Sequence, residues 1–427
     1  MISKSQQPRR CYVYMTLPGE TKPVTAGRYE LGPDRSGVPL GRFVYGRSYL
    51  ARAEAVEIDP VELKLAPRLY ETMLLNGVFG ALRDAAPDYW GRLVIERALG
   101  KGPLGEMDYL LQSADDRAGA LGFGLNEKPP APMRQFNKTL DLEKLQSIAL
   151  AILKDKNPVR GPEAEQVQKL LLRGTSMGGA RPKAVVEDSE GLWVAKFNRP
   201  GDSWNSARVE HAMLCLARAC EISVADSKVV SVARRDVLLV KRFDREKTKA
   251  GYLRHRMVSA LTLLRADEGV QDRAKWSYVL LAEELRRACA EPRKAAAELF
   301  RRMCFNALIS NIDDHPRNHA IIAKDRAWEL SPAYDITPSR QVSLEHRDLA
   351  MTVGDLGRYA SAQNLLSQCN RFLLDRSEAE AIVARMEAQV DSSWHKLARK
   401  SGVTVRDCEA IKGAFVYPGF SFGLQVA

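Results

Sequence analysis

The sequence predicts an α+β fold in which a small β-rich lobe precedes a large helical lobe, with an extra β-rich domain ahead of both. Three observations predict it. Residues 1–130 are dense in short β-type runs separated by turn residues. A proline-rich segment follows, and behind it comes an apolar hairpin pattern. From about Val258 onward, apolar residues recur at helical spacing. The expected regions are therefore 1–130, 131–250 and 251–427.

In the first region the strands are marked by Cys11-Tyr12-Val13-Tyr14-Met15 and Gly41-Arg42-Phe43-Val44-Tyr45, with turns at Gly32-Pro33 and Gly37-Val38-Pro39. Asp88-Tyr89-Trp90-Gly91-Arg92 opens a helical stretch that runs through Ala98. Glu127 to Pro132 holds Pro129, Pro130 and Pro132, which cannot continue a helix and read as a linker. Residues 141–155 put Leu142, Leu145, Ile148 and Ile152 on one helical face. Ala184-Val185-Val186 and Leu192 to Phe197 flank the turn Asp188-Ser189-Glu190-Gly191 and predict a hairpin. A helix from about Ala207 to Ala219 and a buried strand at Val237-Leu238-Leu239-Val240 come next. No fixed-period repeat is visible.

Composition narrows the class. The chain has 427 residues, 45% of them hydrophobic, enough for a sizeable core and for two or more domains. No apolar run reaches the roughly 18 residues of a membrane span, and the basic N-terminus lacks an apolar segment behind it. The expectation is a soluble, cytoplasmic protein with no membrane partner. Seven scattered cysteines without a C-x-x-C pair suggest reduced thiols rather than a disulfide framework or structural zinc. The formal net charge of +11 favours phosphate-bearing partners, but the basic residues are spread along the chain and form no tail.

The segment richest in chemistry is Asn311-Ile312-Asp313-Asp314-His315-Pro316-Arg317-Asn318. An apolar stripe (Leu299, Phe300, Met303, Cys304, Ala307 and Leu308) predicts a packed helix before it, and Pro316 ends helical structure. The Asp-x-x-x-x-Asn interval is that of a kinase catalytic loop, in which the Asp accepts a hydroxyl proton and the Asn holds Mg²⁺. Seventeen residues past Asn318 stands Asp335, in Ser331-Pro332-Ala333-Tyr334-Asp335. Two short apolar runs, Ile321-Ile322-Ala323 and Trp328-Glu329-Leu330, would return the chain and let Asp335 share a metal with Asn318. Carboxylate and amide oxygens suit Mg²⁺. Read alone, Asp335 could also cap a turn before Pro338.

His315 and His319 raise a metalloenzyme reading, a hydrolase built on Asp313, Asp314 and the two histidines. Pro316 opposes it, because it breaks the helix that would put both imidazoles on one face. Upstream, Gly174 to Lys183 is rich in small residues whose backbone N–H groups could approach phosphates, with Arg181 and Lys183 supplying charge. It matches neither common glycine-rich phosphate signature, and a flexible turn would read the same. Lys196 shares a strand face with Leu192 and Val194, so its ammonium needs a partner. ATP phosphates would serve, and Glu210 on the following helix is a second candidate. A snorkelling edge lysine is the plainer alternative.

Taken together, these residues resemble the HipA family of bacterial toxin kinases. The resemblance covers most of the chain: Gly77-Val78-Phe79-Gly80 through Asp84, Pro87 to Arg92, Gly119 to Phe123, Ser176 to Lys183, Val240 to Arg245, Asp313 to Ala320 and Ser331 to Asp335. It implies a protein-kinase-like, two-lobed fold with an added N-terminal β domain, acting as a serine/threonine kinase with ATP and Mg²⁺. It implies Asp313 as base and Asn318 and Asp335 as metal ligands. Lys196, His315, Tyr334 and Asp335 fall at nucleotide-contacting positions. Gly178, Gly179, Ala180, Arg181, Pro182 and Lys183 would form the phosphate loop. Lys241, Arg242 and Phe243 would form the adenine hinge, with Lys241 where the family often has an acidic residue. Ser176 matches a serine whose autophosphorylation switches activity off. The implied partners are a HipB-like helix-turn-helix antitoxin, operator DNA through that complex, and a protein substrate such as an aminoacyl-tRNA synthetase. A competing reading is a non-catalytic, nucleotide-bound co-repressor acting through an antitoxin on DNA.

Overall fold

The computed structural model describes residues 9–133, 135–154, 181–340 and 343–421. The chain divides into two compact units. The first comprises residues 1–195, 242–258 and 322–327, and the second 196–241, 259–321 and 328–427. The chain first leaves one unit for the other inside a strand, after Ala195, and not at residue 130 or 250 where composition changes.

In the first unit, β1 (Arg9–Thr16), β2 (Pro23–Pro33), β3 (Pro39–Tyr45), β4 (Leu69–Thr72) and β5 (Leu121–Gly124) form an antiparallel sheet. Their spatial order is β4-β3-β2-β1-β5. Register pairs Cys11 with Tyr29 and Phe43 with Tyr70. β1 buries Cys11 and the whole run Val13 to Thr16, on both faces, while Tyr29 of β2 and Phe43 and Tyr45 of β3 are buried beside it. Gly27 has a steric reason to be glycine: a Cβ there would meet Val44 O at 2.3 Å and push β3 away. The buried tyrosines keep their hydroxyls satisfied, Tyr29 donating to Gly77 O and Tyr45 to Leu63 O, each at 2.6 Å.

Residues 125–133 carry no regular structure, as the prolines there require. The helix α1 (Tyr89–Leu99) starts at Asp88, whose side chain accepts from Gly91 N at 2.7 Å. It ends at Gly100 in the left-handed region. Next come β6 (Asn137–Lys138), α2 (Leu142–Lys154), β7 (Lys183–Asp188) and β8 (Gly191–Phe197). The expected hairpin is β7–β8, its turn braced by Glu190 N donating to Asp188 Oδ1 at 2.8 Å. Phe136, Val185 and Leu192 make a small apolar cluster with Met133 and Tyr252 beneath it.

The second unit is mostly helical. It holds α3 (Ser206–Ala219), the antiparallel pair β9 (Ser227–Val232) and β10 (Arg235–Lys241), α4 (Tyr278–Ala288), α5 (Pro292–Leu308) and α6 (Arg376–Lys400). Pro292 occupies the first turn of α5, where its missing N–H costs nothing. The expected stripe Leu299, Phe300, Met303, Cys304, Ala307 and Leu308 is buried, with α5 packed against α4 and α6. α6 opens with a reciprocal capping box between Asp375 and Glu378. The expected return after Asn318 is made: Ser331 N donates to Ala320 O at 2.9 Å, across β11 (Ala320–Ala323) and β12 (Glu329–Leu330). None of the seven cysteines is in a disulfide; Cys215 is half-buried and the others are buried. No helix among the described residues is long and apolar enough to cross a membrane.

Candidate active site

α5 delivers the acidic loop. The helix ends at Leu308, and Ser310 then takes a positive φ of 52°, which turns the chain sharply out of the helical path. Arg347 Nη1 donates to Ser310 Oγ at 2.6 Å, and Ser310 Oγ donates to Ala414 O at 2.7 Å, so the turn is held from the core. Asp313 follows, exposed on the loop. His315 N donates to Asp313 O at 2.8 Å, and Pro316–Asn318 closes a single tight turn. Asn318 is buried and its Nδ2 reaches Asp313 O at 3.3 Å. The loop thus sets Asp313 and Asn318 on one short, internally bonded segment.

Asp335 reaches the same region from the other side. Its φ of 59° is left-handed, a conformation that costs a non-glycine residue about 1–3 kcal/mol. Its neighbours enforce the geometry. Ala333 N donates to Ser223 O at 2.8 Å, Ala225 N donates to Ala333 O at 3.0 Å, and Tyr334 Oη donates to Arg317 O at 2.9 Å. The carboxylate that results is 35% exposed and bonds Lys196 Nζ at 2.7 Å.

Lys196, near the end of β8, bridges two acids. Its Nζ also bonds Glu210 Oε1 on α3 at 2.6 Å, with the Glu210 side chain 4% exposed. Burial opposes the Lys196 charge, but Asp335 and Glu210 outweigh it and hold the ammonium well above its ordinary pKa. For Asp313 the direction is also upward: desolvation pushes its carboxyl up, Asp335 and Asp314 add like charge, and His315 pulls the other way. An exposed carboxyl with a raised pKa is suited to accepting a proton. The His315 ring stands edge-on to Trp276 at 6.2 Å.

The other expected residues fall elsewhere. Ser176, Gly178, Gly179 and Ala180 lie outside the described residues. Arg181 and Pro182 precede β7, and Lys241 ends β10 with its N–H donated to Asp226 O at 2.7 Å. Phe243 is half-buried in the first unit. Two side chains need correcting. The Lys183 ammonium does not point into open space for phosphates; it is 2% exposed and bonds Asp88 Oδ2 at 2.6 Å, while Trp90 Nε1 donates to Lys183 O at 2.9 Å. A buried ammonium needs a counter-charge, and the helix cap Asp88 supplies it. Arg242 is likewise internal: its side chain is fully buried, ion-paired with Asp116 and with Asp244, the latter at 2.8 Å. Its N–H goes to Leu192 O at 2.9 Å.

Sequence reasoning missed one polar chain. Asp314 Oδ2 accepts from Tyr278 Oη and sits 2.7 Å from His319 Nε2, all three residues being buried. The signal was present in the Asp313-Asp314 doublet and in His319, which the metal reading had set among possible ligands. No group of three or more His, Cys, Asp or Glu among the described residues is arranged to hold a metal ion. The pair Asn318 and Asp335 offers a different donor set, one amide and one carboxylate oxygen.

Comparison with known proteins follows the same lines. No curated protein matches the sequence. Among solved structures, the fold is similar to that of Shewanella oneidensis MR-1 HipA, solved with HipB and its operator DNA: TM-score 0.66, 16% identity, covering 94% of each chain. A Helicobacter pylori proinflammatory kinase, CtkA, matches with a TM-score of 0.39 and 14% identity, over 56% of this chain and 91% of that one. The α+β architecture is therefore that of HipA. The family model for the HipA-like C-terminal domain matches residues 175–394, just over half of the sequence, and the chain belongs to the HipA family.

Proposed function

We propose that the protein is an ATP- and Mg²⁺-dependent serine/threonine protein kinase, the toxin of a HipBA-type toxin–antitoxin module. The observation that carries this reading is the Lys196 bridge. A strand lysine paired with a helix glutamate and with a metal-binding aspartate is the arrangement kinases require of their nucleotide site, and here Lys196 bonds Glu210 and Asp335 together. Asn318 and Asp335 are hard oxygen donors, which fits Mg²⁺ and leaves positions for water and phosphate oxygens. Mg²⁺-ATP, when bound, supplies the phosphoryl group and neutralises its charge.

In this reading Asp313 accepts the proton of the attacking substrate hydroxyl, and its raised pKa makes it a better base. Lys196 steers phosphate oxygens and Asn318 and Asp335 hold the metal. His315 and Tyr334 line the nucleotide side of the loops. Residues 178–182 cradle phosphates, and Lys241–Phe243 form the adenine hinge. Ser176 is the autophosphorylation site that switches the enzyme off. The partners are a HipB-like antitoxin, operator DNA through that complex, and a cytoplasmic protein substrate, with aminoacyl-tRNA synthetases as the first candidates. Incubation with labelled ATP and Mg²⁺ is expected to label the protein on Ser176. Folded protein that takes up no label refutes the assignment.

The +11 charge favours one second reading, a non-catalytic co-repressor holding an antitoxin on DNA. Under it, Asp313→Ala would leave repression and toxicity unchanged in cells.

A further inference from the structure

Behind the acidic loop lies a cavity of about 10 Å³, lined among others by Arg302, Asn306, Asp314, Asn318, His319 and Tyr334. On that measure one water needs roughly 10–15 Å³. Two polar atoms of its lining residues are buried without a hydrogen-bond partner: Arg302 Nη1 and His319 Nδ1. Both residues are 3% exposed. An orphaned, buried guanidinium N–H calls for an acceptor.

Asp314 Oδ2 accepts from Tyr278 Oη and pairs with His319 Nε2; in the tautomer that donates from Nε2 to Asp314, His319 Nδ1 is an acceptor. Arg302 Nη1 can only donate. One water in this cavity would satisfy both, accepting from Arg302 and donating to His319. Arg302 is also fastened to the second loop, its Nη2 donating to Ser331 O at 2.6 Å, four residues before Asp335. Asn306 Nδ2 reaches Tyr278 Oη at 3.4 Å and Asn311 Nδ2 reaches Asn306 Oδ1 at 3.0 Å, extending the network to the start of the acidic loop. Ala260 N donates to His319 O at 2.8 Å.

We propose that the Tyr278–Asp314–His319 chain, closed by one ordered water between His319 and Arg302, is a positioning device that locks the Asp313–Asn318 loop to the Asp335 loop. The placement explains itself. Asp314 adjoins Asp313 and His319 adjoins Asn318, so their side-chain bond fixes the chord of the loop directly beneath the two functional groups. The water then ties that chord to Arg302 and, through Ser331, to the segment ending in Asp335. The kinetic part of this inference rests on the phosphotransfer reading; the structural part does not.

The test compares His319→Phe, which loses both imidazole nitrogens, with His319→Gln, whose amide can still donate to Asp314. Arg302→Met, which removes the water's other partner, runs alongside. Wild-type transfer from Mg²⁺-ATP is measured first. Loosening the loop by about 1 Å is expected to lower kcat ~10²-fold for His319→Phe with KM for ATP within a few-fold. His319→Gln is expected to recover most of that loss, and Arg302→Met to fall between the two. Equal kcat in all variants, or losses matching the unfolded fraction seen by melting, overturn the proposal. A wild type that transfers no phosphate sinks the phosphotransfer reading alone. The lock is then judged by amide hydrogen exchange of residues 313–319, which should quicken ~10-fold or more in His319→Phe over His319→Gln. Equal exchange there overturns it.

Discussion

Two charge networks in this chain use the same chemistry to opposite ends. In the first unit, Arg242, Arg245, Asp116 and Asp244 are sealed in the interior, none of their side chains more than 2% exposed. In the second, Lys196, Glu210 and Asp335 grade from a buried Glu210 to a carboxylate one-third open to solvent. The sealed network has every reason to be rigid and nothing to offer a ligand. The graded one anchors its lysine at a buried end and presents an acid at an accessible one. A buried arginine in a motif is thus not a binding residue by virtue of the motif, whereas an accessible strained aspartate beside a lysine has the setting of one.

Substitutions in the two networks should have opposite signatures. The largest effect belongs to the accessible site: Asp313→Ala is expected to lower phosphotransfer by ~10²–10⁴-fold while nucleotide affinity, read by calorimetry, barely moves. Stability should hardly change, since Asp313 is exposed. Next comes the sealed network. Asp244→Ala strands Arg245 and leaves Arg242 with Asp116 as its acid, and denaturant titration should show a loss of about 3–5 kcal/mol. A loss under 1 kcal/mol there would erase the distinction between the networks.

Acid should find the same weak point. Burial pushes the Asp244 carboxyl up, but Arg242 and Arg245 outweigh it, and the net direction is well below the ordinary carboxylate range. A depressed carboxylate contributes stability above its unfolded pKa of about 4 and loses it as pH falls toward the folded value. Melting temperatures should therefore decline below about pH 4, and the decline should flatten in Asp244→Asn. The smallest effect expected is on melting of Lys196→Met. Glu210 is left buried without its cation, a penalty of about 1–3 kcal/mol, and nucleotide affinity should fall with it.

Much of this was legible in the residues. Apolar runs and helical patterns located β1, β3, α2, the β7–β8 hairpin, α3 and the α5 stripe, because each buries one face or both in a core. The Lys196–Glu210 pair was readable from a lysine on an apolar strand face. Spacing alone placed Asp313, Asn318 and Asp335 in one unit. What the sequence hid were partners distant along the chain. Nothing local ties Asp88 to Lys183, or Asp116 to Arg242, so Lys183 looked available for phosphate and Arg242 for the adenine hinge. For His319 the sequence argued only against a metal role, through Pro316, and did not show its partner Asp314, which the turn beyond the helix brings to it. The left-handed φ of Asp335 was equally invisible, since it is imposed by Ser223, Ala225 and Arg317 from other segments.

The most direct test of the account is an intact-mass measurement of wild type, Ser176→Ala and Asp313→Ala before and after Mg²⁺-ATP. The account predicts that the wild type gains a phosphate on Ser176, that Ser176→Ala does not gain it there, and that Asp313→Ala binds nucleotide yet gains none. Asp313→Ala phosphorylated at the wild-type rate, or a folded, initially unphosphorylated wild type that never gains mass, would contradict it.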